Sequence, residues 1–153
     1  MALTDITRLL IDPDKYHVSP EPILMVATLS GGLALSLYDK SRRVGGMLHL
    51  RFMGTGGRPS DVTDNTANSV LVILERFKRG VIGNAARVEE IEARIIAHAL
   101  PPTGVGEPTA NLVDLIRAAL AHDKIGCGTQ MTRRTDPVTV CFQPVEGRIW
   151  IEN

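Results

Sequence analysis

The sequence predicts an α/β (α+β) fold: a layered sandwich in which a mixed β-sheet carries two main helices. Three observations predict it. Short apolar runs of strand length, Ile23–Leu29, Leu33–Tyr38 and Val44–Met53, follow one another and are broken by turn residues. Two later stretches repeat apolar residues at helical spacing: Ala67, Val70, Leu71, Leu74 and Phe77, then Leu112, Leu115, Ile116, Ala119 and Leu120. The chain then returns to strand-like segments at Lys124–Met131, Pro137–Pro144 and Arg148–Glu152, the last two joined by Val145-Glu146-Gly147. Strands, helix, strand, helix and a closing hairpin describe a mixed sheet with helices packed on it.

Taken in order, Thr4–Ile11 reads as a short helix or entry turn. Asp12-Pro13-Asp14 ends it, because a proline pushes its predecessor out of the helical region. Residues 1–15 are thus an N-terminal extension or short helix. Tyr16–Ser19 alternates as an edge strand and is interrupted by Pro20 and Pro22. Ile23–Leu29 is nearly all apolar and suits a buried strand. Ser30-Gly31-Gly32 is a tight turn, since glycine supplies positive φ. Asp39–Arg43 is a charged hairpin turn, and Gly54–Ser60 a glycine-rich loop. Asp61–Asp64 offers a helix N-cap for a helix running to Arg79, with Gly80 as its C-cap. Val88–Ala99 carries two signals. Its β-branched residues favour a strand around Ile91–Ala97, while Glu89, Glu90 and Glu92 also suit a helix. Pro101–Pro108 is a loop, and Thr109–His122 is the second helix.

At 153 residues, residues 1–153 fit a single domain. The apolar share of 44% is enough for a packed interior and too high for a disordered chain. Lys plus Arg and Asp plus Glu balance at 17 each, with no basic tract, so neither nucleic acid nor a membrane surface is expected as a partner. The N-terminus carries Asp5 and Arg8 and lacks the pattern of a signal peptide. Cys127 and Cys141 lie 14 residues apart and have no metal-ligand spacing; neither a metal nor a cofactor is expected. A bacterial-type cytoplasmic protein, its thiols kept reduced, fits these features.

The order of short motifs is more informative. Ala27-Thr28-Leu29 precedes the glycine turn. Leu33–Tyr38-Asp39 forms the next strand, and Val44-Gly45-Gly46-Met47-Leu48-His49-Leu50 follows. Asn65-Thr66-Ala67 opens the first helix and Ala93-Arg94-Ile95 lies in the strand after it. Val105-Gly106-Glu107 and Asn111 lead into the second helix, and Gly147-Arg148 turns the final hairpin. From Tyr16 onward this order resembles the CheD family of chemoreceptor glutamine deamidases. There, a strand ending in Thr-Leu leads to a glycine-rich turn holding a nucleophilic cysteine. A Gly-Gly-Met-x-His strand then carries the catalytic histidine. The resemblance implies a CheD-like layered fold and a glutamine amidohydrolase site.

Three departures stand beside it. Counting back from Asp39, the family's cysteine position falls on Gly32; anchoring on Thr28-Leu29 also finds no cysteine. A family glycine pair is replaced by Ala97-His98, and a Gly-Gly-Asn-type loop by Thr132-Arg133-Arg134-Thr135. Deamidation is acyl transfer: a thiolate attacks the amide carbon, a base supplies the leaving amine with a proton, and backbone N–H groups hold the oxyanion. By resemblance His49 is the base, Thr28 orients it, and Gly31 and Gly32 form the turn. Ser30 reads either as a turn hydrogen-bonder or as a substitute nucleophile. Arg133 and Arg134 read as a solvated turn or as a carboxylate- or phosphate-binding pair. His98 reads as a solvated loop-edge residue, and Cys141, between Val140 and Phe142, as a core residue.

The expectation is therefore a non-catalytic, pseudo-deamidase chemotaxis protein with a vestigial site at His49, Thr28 and Ser30. Its implied partners are chemoreceptor cytoplasmic helices or a CheC-like phosphatase. Two alternatives stay open: an active glutamine deamidase with a relocated nucleophile, and an unrelated binding function on the same fold.

Overall fold

The computed structural model describes residues 6–51, 64–84, 87–100 and 108–152. Its elements are β1 (Arg8–Leu10), β2 (Lys15–Ser19), β3 (Leu24–Leu29), β4 (Gly32–Asp39), β5 (Val44–Leu50), α1 (Asp64–Gly83), β6 (Ile91–Ala99), α2 (Pro108–His122), β7 (Cys127–Arg133), β8 (Val138–Gln143) and β9 (Arg148–Glu152). A 3-10 turn, Val88–Glu90, leads into β6. The loops read at Gly54–Ser60 and at 101–107, and the cap read at 61–63, lie outside the described residues.

The α+β sandwich expected from the sequence is present, but its strands divide between two sheets. One sheet has the order β2-β5-β4-β6-β7 and the other β1-β3-β8-β9. The division follows from what each strand must cover. β4 is buried along its whole length. Its Leu33, Leu35 and Leu37 face one core, with Leu48 of β5, Ile95 of β6, Phe77 of α1 and Ile116 of α2. Its Ala34 and Tyr38 face a second core, with Met25 and Leu29 of β3 and Val140 and Phe142 of β8. Alternate residues of a strand point to opposite faces. A strand apolar on both faces must therefore be sandwiched, with helices on one side and the second sheet on the other.

β5 carries the same logic into its glycines. A Cβ at Gly45 would stand 3.0 Å from the Phe142 ring, and one at Gly46 would stand 2.7 Å from the Phe77 ring. The two large aromatics press on β5 from its two sides, so the Gly-Gly pair is where both cores come closest to the backbone.

Several local expectations change. Arg8–Leu10 is a strand parallel to β3, with Arg8 opposite Leu24 and Leu10 opposite Val26. The helix read over Thr4–Ile11 loses because β3 offers a whole edge of backbone partners, which a short isolated helix lacks. α1 does not stop at Gly80 but runs to Gly83, because Val81 is fully buried and extends the apolar face one more turn. At Gly80 a Cβ would stand only 3.4 Å from Val18 and 3.7 Å from Tyr16, both of β2. Val88–Ala99 resolves into the 3-10 turn followed by a strand, so both signals were present, one after the other. β7 extends through Thr132 and Arg133, which had been read as a loop.

Candidate functional site

The turn between β3 and β4 is where the chain leaves one sheet for the other. Glycines fill it: Gly31 has φ +82° and Gly32 φ +118°. At Gly32 geometry excludes every side chain. A Cβ there would lie 2.1 Å from the carbonyl oxygen of Leu50 and 3.0 Å from Cα of Arg51. Those are main-chain atoms of the neighbouring strand and cannot swing aside. Gly32 is thus packed against backbone.

His98 stands next to this turn. It pairs with Gly32 across the β4–β6 ladder and is fully buried, not the solvated loop-edge residue expected. Its Nδ1 accepts the Gly31 N–H at 2.9 Å. With Nδ1 accepting, the neutral ring carries its proton on Nε2, and that buried atom finds no acceptor among the described residues. The same stretch is braced from outside. Thr109 Oγ1 donates to the His98 carbonyl at 3.3 Å, and Thr132 Oγ1 donates to the Ala97 carbonyl at 2.9 Å. Thr132, His98 and Gly32 form one row across β7, β6 and β4.

His49 lies on β5 opposite Ala34, close to this row, and is 2% exposed. It shares the face of Met47, between the two sheets. Its Nδ1 donates to the Ile11 carbonyl at 2.9 Å. Burial holds its pKa below the usual 6.5, against the pull of the Ile11 carbonyl and Asp14, so the ring is neutral. The carbonyl it holds belongs to the crossover from β1 to β2. There Ile11 N donates to Val26 of one sheet and Asp14 N to the His49 carbonyl of the other.

The remaining sequence-derived residues do not join it. Thr28 is exposed and alternates with Ala27 and Leu29, which face the inter-sheet core. It therefore points off the outer face of the second sheet, and the orienting partner of His49 is Ile11, not Thr28. Ser30 is exposed on the turn. Arg133 ends β7 opposite Ala99, and Arg134 follows it; both are exposed. Cys127 begins β7 opposite Ala93, at the other end of the sheet. Cys141 is buried, and it alternates with Val140 and Phe142, so it lies on the outer side of β8. Burial pushes both thiols up, away from the thiolate. Sequence reasoning missed the His98–Gly31 and His49–Ile11 contacts. The first had a signal, a histidine where the resemblance expects glycine; the second had none.

The chain resembles CheD proteins along nearly its whole length. It is 24% identical over 144 residues to the probable chemoreceptor glutamine deamidase CheD 1 of Burkholderia thailandensis, covering 92% of this chain and 61% of that protein. The probable chemoreceptor glutamine deamidase CheD of Burkholderia mallei matches at the same identity and coverage. The chain thus spans 61% of the length of the curated relatives it matches. No family model matches it. Among solved structures, the DUF152 protein NMB0706 of Neisseria meningitidis superposes with a TM-score of 0.55 at 12% identity, over 98% of this chain and 77% of that one; the likeness is one of fold. Among the described residues, no helix is long and apolar enough to cross a membrane.

Proposed function

We propose that this chain is a CheD-like chemotaxis protein that binds rather than deamidates. Its partner on this reading is a chemoreceptor cytoplasmic helix or a CheC-type phosphatase, met in the cytoplasm. The observation that carries the proposal is the backbone at Gly32. A carbonyl oxygen 2.1 Å from the Cβ position leaves no place for a thiol where the resemblance requires one. The two cysteines the chain does possess support the same reading, since neither lies in the Gly32–His98–Thr132 row. A relocated serine finds no support either. Ser30 is exposed while His49 is enclosed and already committed to the Ile11 carbonyl. On this reading His49 and His98 fix the crossing between the sheets, and the surface beside it recognises a helix.

The test combines binding with chemistry. Purified chain is presented with receptor cytoplasmic fragments and with a CheC-type phosphatase, and receptor peptides are weighed for conversion of glutamine to glutamate. Micromolar binding without a mass change is the expected result. Absence of any partner at micromolar concentration would count against it. A mass change that disappears in His49→Ala would replace it with an active enzyme.

A further inference from the structure

Among the described residues the two sheets have four edge strands, and three of them are short or blocked. β1 has three residues. β2 has five, begins with Lys15 and ends at Ser19 before Pro20. β9 has five, with Arg148 stacked over the Trp150 ring at 4.8 Å and Glu152 paired with Arg8. β7 differs. It runs seven residues, Cys127-Gly-Thr-Gln-Met-Thr-Arg133, in unbroken register with Ala93–Ala99 of β6 and without a bulge. Its middle residues Gly128, Thr129 and Gln130 are exposed. A Cβ at Gly128 would meet nothing within 4 Å. The strand holds no proline and no lysine, and its single charge is the terminal Arg133. Edges of this length are ordinarily blunted by charge, proline or a bulge, because free N–H and C=O groups template another strand.

We infer that β7 pairs with β7 of a second copy of this chain, antiparallel about a twofold axis at Gln130. The sequence is self-complementary in that register. Gln130 meets Gln130, Thr129 meets Met131, Gly128 meets Thr132 and Cys127 meets Arg133. The two arginines fall at opposite ends of the ribbon, each facing an uncharged residue. A parallel pairing would set Arg133 against Arg133 and would not close by a twofold. Cys127 and Met131 already pack against the core beneath the helices, so the Thr129–Met131 contacts carry that apolar layer across the axis. On the other face Gly128 and Gln130 border a cleft of about 240 Å³ with Ile96 and Ile149, where the two sheets part at this edge. The second copy extends the five-stranded sheet past that opening.

Sedimentation velocity and light scattering over a concentration series test this directly. The wild-type chain is expected to dimerise reversibly in the micromolar range. Gln130→Lys puts like charges opposite each other at the axis and is expected to weaken dimerisation by at least about tenfold. Gln130→Glu does the same, and an equimolar mixture of the two variants restores a dimer as a heterodimer. Position 130 is exposed, so circular dichroism of both variants should match the wild type. A wild-type chain that stays monomeric at hundreds of micromolar overturns the inference, as does a dimer indifferent to Gln130→Lys or a mixture that fails to recover. A monomer that instead captures an extended peptide along β7 also overturns it and gives the edge to a different occupant. None of these outcomes bears on receptor binding or deamidation, so the two proposals fail separately.

Discussion

The two ends of β4 solve opposite problems. At its start, Gly32 is pressed against the carbonyl of Leu50 and no side chain fits. At its end, Tyr38 and Asp39 are dense with side-chain bonding. Asp39 is fully buried. Its carboxylate accepts from Ser41 Oγ at 2.7 Å and from the backbone N–H of Arg42 at 3.0 Å and of Arg87 at 2.8 Å. Burial opposes the charge, yet those donors outweigh it and hold the pKa below its usual value. Tyr38 reaches the other sheet, donating to the Val145 carbonyl at 2.8 Å. One end joins the sheets by taking side chains away, the other by adding polar ones. The features that resemble CheD survive at the second end as structure, Tyr38-Asp39 included. On the proposed reading, the first end is where the residue that would carry chemistry is absent.

The sharpest way to break this contrast is Gly32→Cys. A side chain at φ +118° against fixed backbone is expected to cost on the order of 4 kcal/mol in chemical denaturation, with no deamidation gained. A variant as stable as the wild type that deamidates receptor peptides would show the turn to be open after all. Next in size is Asp39→Ala, which strands two backbone N–H groups and a hydroxyl; a loss of about 2–3 kcal/mol is expected from the same measurement. Because the folded carboxyl is depressed, the Asp39 contribution is full at neutral pH and declines only as pH falls below about 4.

His49 sharpens the contrast through pH. Its folded pKa is also depressed, so the unfolded chain holds the proton more tightly. Its contribution is full above about pH 6.5 and shrinks as pH falls through the lower folded value. Thermal melts of wild type and His49→Asn from pH 7.5 to 5 should therefore converge as the pH drops; parallel curves would mean the ring is not enclosed. The smallest effect expected is Tyr38→Phe, about 1 kcal/mol for one inter-sheet hydrogen bond, read from the denaturation midpoint.

Patterns confined to one element were legible in the sequence. The 3.6-residue spacing of Val70, Leu74 and Phe77, and of Leu112, Ile116 and Leu120, placed α1 and α2 because burial of one face sets that period. The run Leu33–Tyr38, apolar except for Ser36, read as a strand, and its cover on both sides came only with the fold. What the sequence hid was pairing between distant segments. Nothing in Leu24–Leu29 says that its partner is Val138–Gln143 rather than the adjacent β4, so the division into two sheets was not visible. Arg8–Leu10 was missed for the same reason, since three residues become a strand only when β3 lies beside them. At the candidate site, His49 and Gly32 could be named from motif order. The donors and acceptors around them could not, because Ile11 and His98 are brought there by the crossings between sheets.

Those crossings also set an order of events when the chain folds. β4, β5 and β2 lie near one another in sequence and can associate early. β3 can meet β1 early, but its other neighbour is distant, because Met25 pairs with Phe142 and Leu29 with Val138, on a strand far later in the chain. Until β8 and β9 arrive, β3 lacks its antiparallel partner, and the face of β4 carrying Ala34 and Tyr38 is covered only in part, without Val140 and Phe142. Closing such long loops is slow, and an apolar face left waiting favours association with other chains. The long-range β3–β8 pairing is therefore the step the topology makes slow, and the Ser30–Gly32 crossing is the link that ties it to β4.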